Sequence, residues 1–173
     1  LSIRRQRQMC IRDRFLVSEL SNQVFVYSLT EDAAAGTDSG HNCISLPDFS
    51  MRLLHIRSIL PSDAVYEEPP ASAAIRLSPD ERFLYVSTRF AEVITVFKID
   101  HGCLAQIQQT GCGGIHPRDM VLTPDGRYLL VANRTRGGLV SFQINQETGR
   151  LMDICSRVPA PEAVSIVLSQ HTI

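Results

Sequence analysis

What the sequence lacks narrows it first. No apolar run approaches the roughly 20 residues needed to span a bilayer, and no charged start, apolar stretch and small-residue cleavage site mark a secretory signal. Neither sign of charge dominates. Lys and Arg number 17 against 18 Asp and Glu, a net charge of −1, which gives no support for a nucleic-acid partner. Five cysteines (Cys10, Cys43, Cys103, Cys112, Cys155) show no C-x-x-C spacing, so the expectation is reduced thiols in a cytoplasmic protein. His41, His55, His101 and His171 have no ligand-like spacing, and no metal is expected. No segment longer than about 10 residues carries a convincing helical period. The 173 residues, 44% hydrophobic and 20% charged, are enough for a cored domain and unlike a disordered tail.

An initiating methionine is missing too, and a piece of a longer protein is expected. Residues 1–14, LSIRRQRQMCIRDR, hold five arginines against one acid; their local charge of +4 leaves the remaining chain at −5. This stretch resembles translated sequencing-adapter read-through, with a basic tail or part of a targeting peptide as rivals. It is set apart as a leader, and residues 15–173 carry the fold.

What is present is a repeat. Residues 78–100, SPDERFLYVSTRFAEVITVFKID, match residues 123–145, TPDGRYLLVANRTRGGLVSFQIN, at a period of 45 residues. Pro79 pairs with Pro124, Val86 with Val131, Arg89 with Arg134 and Phe97 with Phe142. A weaker copy, FLVSELSNQVFVYSLT, covers residues 15–30, with Val17 matched to Val86, Tyr27 to Phe97, and one residue fewer in the turn. β-rich runs alternate with polar turns. Pro124-Asp125-Gly126 is a tight-turn signal; Glu81 at the Gly position costs about 1 kcal/mol, or else the turn changes type. Further strands are expected at Ala73–Leu77, Leu104–Gln109, Asp119–Leu122 and Leu151–Arg157. Four short antiparallel strands in about 45 residues make a propeller blade.

The chain is therefore read as all-β, about three and a half four-stranded blades. Residues 15 to about 60 supply strands two to four of one blade, with a solvated insertion over Glu31–Pro47. Residues 71–110 and 116–158 are complete blades, and Ala163–Leu168 is the first strand of another. So few blades leave a ring open, with exposed edges that invite aggregation.

In a blade whose strands run outward from the channel, the start of strand one and the end of strand two lie on one face. Glu19, Arg89 and Asn133 sit at or near the ends of second strands, and His116 and Arg118 at the start of a first strand. Three blades thus converge on one tunnel mouth. Arginine suits phosphate or carboxylate, and Arg118 or Arg89 can stabilise an oxyanion. Glu19 or His116 can act as general base, and His116 has the better intrinsic pKa. Each has a plainer reading: Arg89 an inter-blade ion pair, Glu19 a solvated turn residue, His116 a loop histidine, Asn133 a turn cap. Gly111-Cys112-Gly113-Gly114 reads as a blade connection, because no Lys and no strand–loop–helix context follow it.

SAAIRLSPDERFLYVSTR (72–89) with ITVF (94–97), HPRDMVLTPDGRYLLVAN (116–133) with ETGRL (147–151), and FLVSELSNQVFVY (15–27) together resemble blades of the lactonase (6-phosphogluconolactonase-like) family. Thr88, Arg134 and Glu81 depart from the family's usual Asn, Gln and Gly. The resemblance implies a seven-bladed propeller in the cytoplasm that needs no cofactor or metal and hydrolyses an anionic lactone such as 6-phosphogluconolactone. The candidate site is then Glu19, His116 and Arg118 as catalytic and Arg89, Arg118 and Asn133 as substrate-binding; Glu19 matches the family pattern better than His116 and is the favoured acid/base or substrate-orienting group. Further blades are expected N-terminal in the same chain, with neither membrane nor nucleic acid as partner. A non-catalytic binding platform and a muconate-cycloisomerase-like lactonising enzyme remain alternatives, since a fold does not fix a reaction.

Overall fold

The computed structural model describes residues 13–30, 43–46 and 49–169. Residues 1–12 of the expected leader lie outside the described residues; its last two, Asp13 and Arg14, begin the first strand.

Among the described residues, twelve strands form three antiparallel four-stranded sheets. The first holds β1 (Asp13–Ser18), β2 (Gln23–Thr30), β3 (Cys43–Leu46) and β4 (Phe49–Ser58), in the order β1-β2-β4-β3. The second holds β5 (Ala71–Leu77), β6 (Phe83–Arg89), β7 (Val93–Asp100) and β8 (Cys103–Gly111), in chain order. The third holds β9 (Ile115–Leu122), β10 (Tyr128–Arg136), β11 (Gly138–Ile144) and β12 (Leu151–Val158), also in chain order. In the first sheet β1, β2 and β4 occupy the second, third and fourth blade positions, and β3 is an extra outer strand.

Two hydrophobic layers join the sheets. Val24, Val26, Ile59, Leu84, Val86 and Phe97 fill the space between the first and second. Tyr85, Ile94, Val96, Met120, Val131 and Phe142 fill that between the second and third. Strand β6 is buried along its whole length because its alternating side chains enter both layers. Burying each large side chain stabilises the stack by about 1.5–3 kcal/mol. Tyr85 keeps its hydroxyl satisfied by donating to the Gly149 carbonyl at 2.9 Å. Between innermost strands, Arg76 of β5 pairs with Asp119 of β9 at 2.6 Å.

Three expectations change. First, the second-to-third-strand hairpins are equal in length. The last paired positions are Ser18 and Gln23, Thr88 and Val93, and Asn133 and Gly138, with four residues between them each time. Val17 therefore stands where Ser87 does, not Val86, and Glu19 is the positional equivalent of Arg89 and Arg134. Second, part of the expected Glu31–Pro47 loop is strand: Cys43–Leu46 pairs with Phe49–Arg52, giving the open edge of β4 a partner. Residues 31–42 and 47–48 lie outside the described residues. Third, Ala163–Leu168 is not part of any strand. The described residues hold no second strand to pair with it. The Asp119 carboxylate tethers it instead, accepting from the Ile166 N–H at 3.0 Å and the Ser165 hydroxyl at 3.2 Å.

The two Pro-Asp turns coincide in detail. The Ser78 and Thr123 hydroxyls each accept the N–H five residues on (Phe83, Tyr128) and donate to the Asp two residues on (Asp80, Asp125). Glu81 holds φ +58° where Gly126 holds +68°, so the turn keeps its type and Glu81 carries the strain.

Candidate functional site

The three hairpin turns lie at one end of the sheets, and the segments entering β5 and β9 come up beside them. Hairpin geometry controls this meeting. The fourth turn residue has a positive φ in every case: Asn22 at 51°, Glu92 at 56° and Gly137 at 101°. In the first hairpin the Asn22 amide donates to the Pro70 carbonyl at 2.8 Å and accepts from the Ser72 hydroxyl at 2.9 Å, fixing the start of β5. In the second, the Glu92 carboxylate accepts from the Phe90 N–H at 3.1 Å and from the His116 N–H at 2.5 Å, fixing the start of β9. His116 itself sits at φ +66°, a backbone state that a non-Gly residue keeps only when its surroundings hold it.

Arg89 is the centre of the cluster. Its guanidinium is almost buried and forms an ion pair with the Glu19 carboxylate of the preceding sheet; Glu19 itself is largely exposed. A second guanidinium nitrogen lies 3.4 Å from His116 Nε2 of the following sheet. One arginine thus ties three blades together. The Phe90 ring lies 5.8 Å from the Arg89 guanidinium carbon and 5.3 Å from the His116 ring, closing one side of the cluster. Burial, aided by the charges of Arg89, Arg118 and Arg134 and opposed by Glu92, holds the His116 pKa below its ordinary value. The imidazole is therefore neutral near pH 7. Arg118, two residues along β9, is half-buried, and its guanidinium has no hydrogen-bond or ion-pair partner among the described residues.

Glu19, Arg89, His116 and Arg118 come together as the blade pattern predicts. Asn133 does not join them. It is fully buried, donates to the Cys112 carbonyl at 3.4 Å, and packs against Gly114. The expected substrate contact gives way to a supporting one, because the third hairpin lies directly on the 111–115 connection and covers Asn133. That crowding also explains the glycines there: a Cβ on Gly137 would stand 2.6 Å from the Gly114 Cα, and one on Gly114 the same distance from the Asn133 side chain. Glu92, which holds the His116 backbone in place, is the residue of this cluster that sequence reasoning missed. The Cys112 thiol is buried, its pKa pushed up to about 11 mainly by desolvation, so it is no nucleophile near neutral pH. Among the described residues no cluster of three His, Cys, Asp or Glu could hold a metal ion, and no helix is long and apolar enough to cross a membrane.

Radially arranged four-stranded antiparallel sheets with a polar cluster at their shared end define a β-propeller with a mouth-side site. The family described as lactonase, seven-bladed β-propeller, matches residues 12–168, and the chain belongs to it. It is 30% identical over 154 residues to a 6-phosphogluconolactonase of Bacillus subtilis, covering 88% of this chain and 39% of that protein. Among solved structures, a Lactobacillus plantarum protein superposes with a TM-score of 0.72 at 30% identity, over 88% of this chain and 40% of its own. A periplasmic gluconolactonase of Pseudomonas aeruginosa superposes with a TM-score of 0.69 at 23% identity, a likeness of fold, over 88% of this chain and 40% of its own. The chain thus spans about 40% of the length of these relatives.

Proposed function

We propose that these blades form one wall of a lactone-hydrolysing site, acting in the cytoplasm on an anionic sugar lactone, with 6-phosphogluconolactone as the leading substrate. The observation that carries this reading is Arg89 bridging Glu19 and His116 across three blades beside the unpaired Arg118. The name borne by the B. subtilis relative supports the substrate class.

In the proposed reaction His116 is the general base. Its neutral imidazole takes a proton from a water molecule as the oxygen adds to the lactone carbonyl carbon. Arg89 reaches Nε2 through a long 3.4 Å contact, which gives way as the water approaches and frees the Nε2 lone pair for that proton. Negative charge develops on the carbonyl oxygen, and the free Arg118 guanidinium stabilises it. Collapse breaks the bond from the acyl carbon to the ring oxygen, and the imidazolium returns its proton to the departing alkoxide. Glu19, committed to Arg89, orients that guanidinium rather than abstracting a proton.

The test uses the full-length protein and freshly generated 6-phosphogluconolactone, with hydrolysis followed against the spontaneous rate. Wild type accelerates the reaction, and Arg118→Ala loses on the order of 100-fold in kcat. A folded wild type that adds nothing to the spontaneous rate sinks the assignment and favours a binding platform. Product analysis with a muconate separates lactone formation from hydrolysis.

A further inference from the structure

The β6–β7 hairpin belongs to the middle sheet, so described blades flank it on both sides. Its second turn residue, Phe90, has φ +66°, whereas the equivalent Leu20 and Thr135 of the other two hairpins are not left-handed. A bulky side chain keeps that backbone state only where its surroundings hold it. The Glu92 carboxylate supplies the hold. One oxygen accepts from the Phe90 N–H at 3.1 Å and the other from the His116 N–H at 2.5 Å. Phe90, Glu92 and His116 are all left-handed, at φ +66°, +56° and +66°. A single carboxylate thus pins two rings beside each other.

Core packing does not account for the strain. Phe90 joins neither hydrophobic layer and stays 37% exposed. Its ring rests on two polar groups of the site, 5.3 Å from the His116 ring and 5.8 Å from the Arg89 guanidinium carbon. Strain of this kind persists where it places a group that function uses. Arg89, His116 and Arg118 offer charge and hydrogen bonds, and Phe90 sets an apolar face among them. A sugar lactone is two-sided in the same way, with oxygens around the edge of its ring and C–H bonds across its faces. Sites for such molecules combine a few directed polar groups with an apolar wall.

We propose that Phe90 is a specificity-determining residue: its ring is the platform for the C–H face of the lactone ring, and it brings the acyl carbon to His116. The ligand rests on the lactonase reading; the platform rests on the turn that Glu92 holds. An open-chain sugar acid has no closed ring face to lay on it, so Phe90 selects ring over chain.

The experiment is calorimetric titration of the full-length protein with the lactam analogue of 6-phosphogluconolactone, whose ring amide resists hydrolysis, and with open-chain 6-phosphogluconate. Wild type, Phe90→Gly and Phe90→Tyr are compared. Glycine adopts φ +66° freely, so Phe90→Gly removes the ring without straining the turn. It should lose about tenfold in lactam affinity, the weight of one aromatic contact, and less than about threefold for the open chain. Phe90→Tyr should keep the wild-type lactam affinity. In turnover the loss should fall on KM, whereas a ring that only steadied His116 would lower kcat. No lactam binding by wild type, unchanged lactam affinity in Phe90→Gly, equal losses for both ligands, or a loss in Phe90→Tyr as large as in Phe90→Gly overturns the proposal. The two readings fail separately: a protein that binds the lactam through Phe90 yet hydrolyses nothing keeps the platform and loses the hydrolase reading.

Discussion

The second and third hairpins use the same backbone device in opposite electrostatic settings. Both place an arginine first in a four-residue turn, Arg89 and Arg134, and both end on a positive φ. Arg89 is nearly buried because the neighbouring turn presents Glu19 and the neighbouring first strand presents His116. Arg134 is exposed and has no ion-pair partner among the described residues. A propeller repeats geometry from blade to blade, and function arises where the neighbours of equivalent positions differ.

The comparison is broken most severely at Arg89. Arg89→Ala removes the group that joins three blades, and kcat/KM for lactone hydrolysis by the full-length protein should fall about 100-fold. Stability should change by about 1 kcal/mol or less, because the exposed Glu19 can be solvated in place of its ion pair. Arg134→Ala should lower turnover less than tenfold. Equal losses at the two positions would show that they are not differentiated as described.

The fourth turn position sharpens the contrast through stability. Asn22 and Glu92 hold their positive φ with side chains that bond the next first strand, but at Gly137 the backbone of Gly114 fills that space. Gly137→Ala combines φ strain with backbone overlap and should destabilise the full-length protein by about 2 kcal/mol or more in urea denaturation. An unchanged midpoint would mean that the hairpin lifts freely off the connection.

Charge around His116 gives a pH test. Its pKa lies below the ordinary histidine value, through burial first and the arginines next, so the base form persists to lower pH and activity should hold below pH 6.5. Glu92 opposes that shift. Glu92→Gln keeps an acceptor for the His116 N–H but removes the negative charge, so the imidazolium is less favoured and the acid limb of kcat/KM moves further down. Arg134→Gln removes a positive charge and moves it up. Limbs that shift the other way, or together, would take His116 out of the base role.

The sequence makes the second and third blades legible because their 45-residue repeat is written in turn residues and apolar alternation, which act locally. The meeting of Glu19, Arg89, His116 and Arg118 follows from the same grammar, since strand polarity alone puts those ends on one face. Glu92 stays hidden because its role depends on a backbone angle and on a partner 24 residues away. Asn133 misleads for a related reason: a strand-end position marks it as available, and only the packing of Gly137 on Gly114 buries it. The equivalence of Glu19 with Arg89 is obscured by aligning Val17 with Val86, a one-residue slip that only the ladder register corrects.

The smallest effect separates the two Pro-Asp turns. Their hydrogen bonds coincide, and only the residue at the positive-φ position differs, Glu81 against Gly126. Glu81 is exposed, so its side chain gives up little when removed. Glu81→Gly relieves the left-handed strain but adds freedom to the unfolded chain, and the balance should stabilise by about 0.5–1 kcal/mol. The reverse change is not its mirror image. A Cβ at Gly126 would come within 3.2 Å of the Pro79 ring of the neighbouring blade. Gly126→Glu should therefore cost more than Glu81→Gly gains, by the amount needed to move that ring. Paired urea titrations giving equal and opposite shifts would show that φ strain alone sets the difference and that the two blades do not touch at this turn in solution.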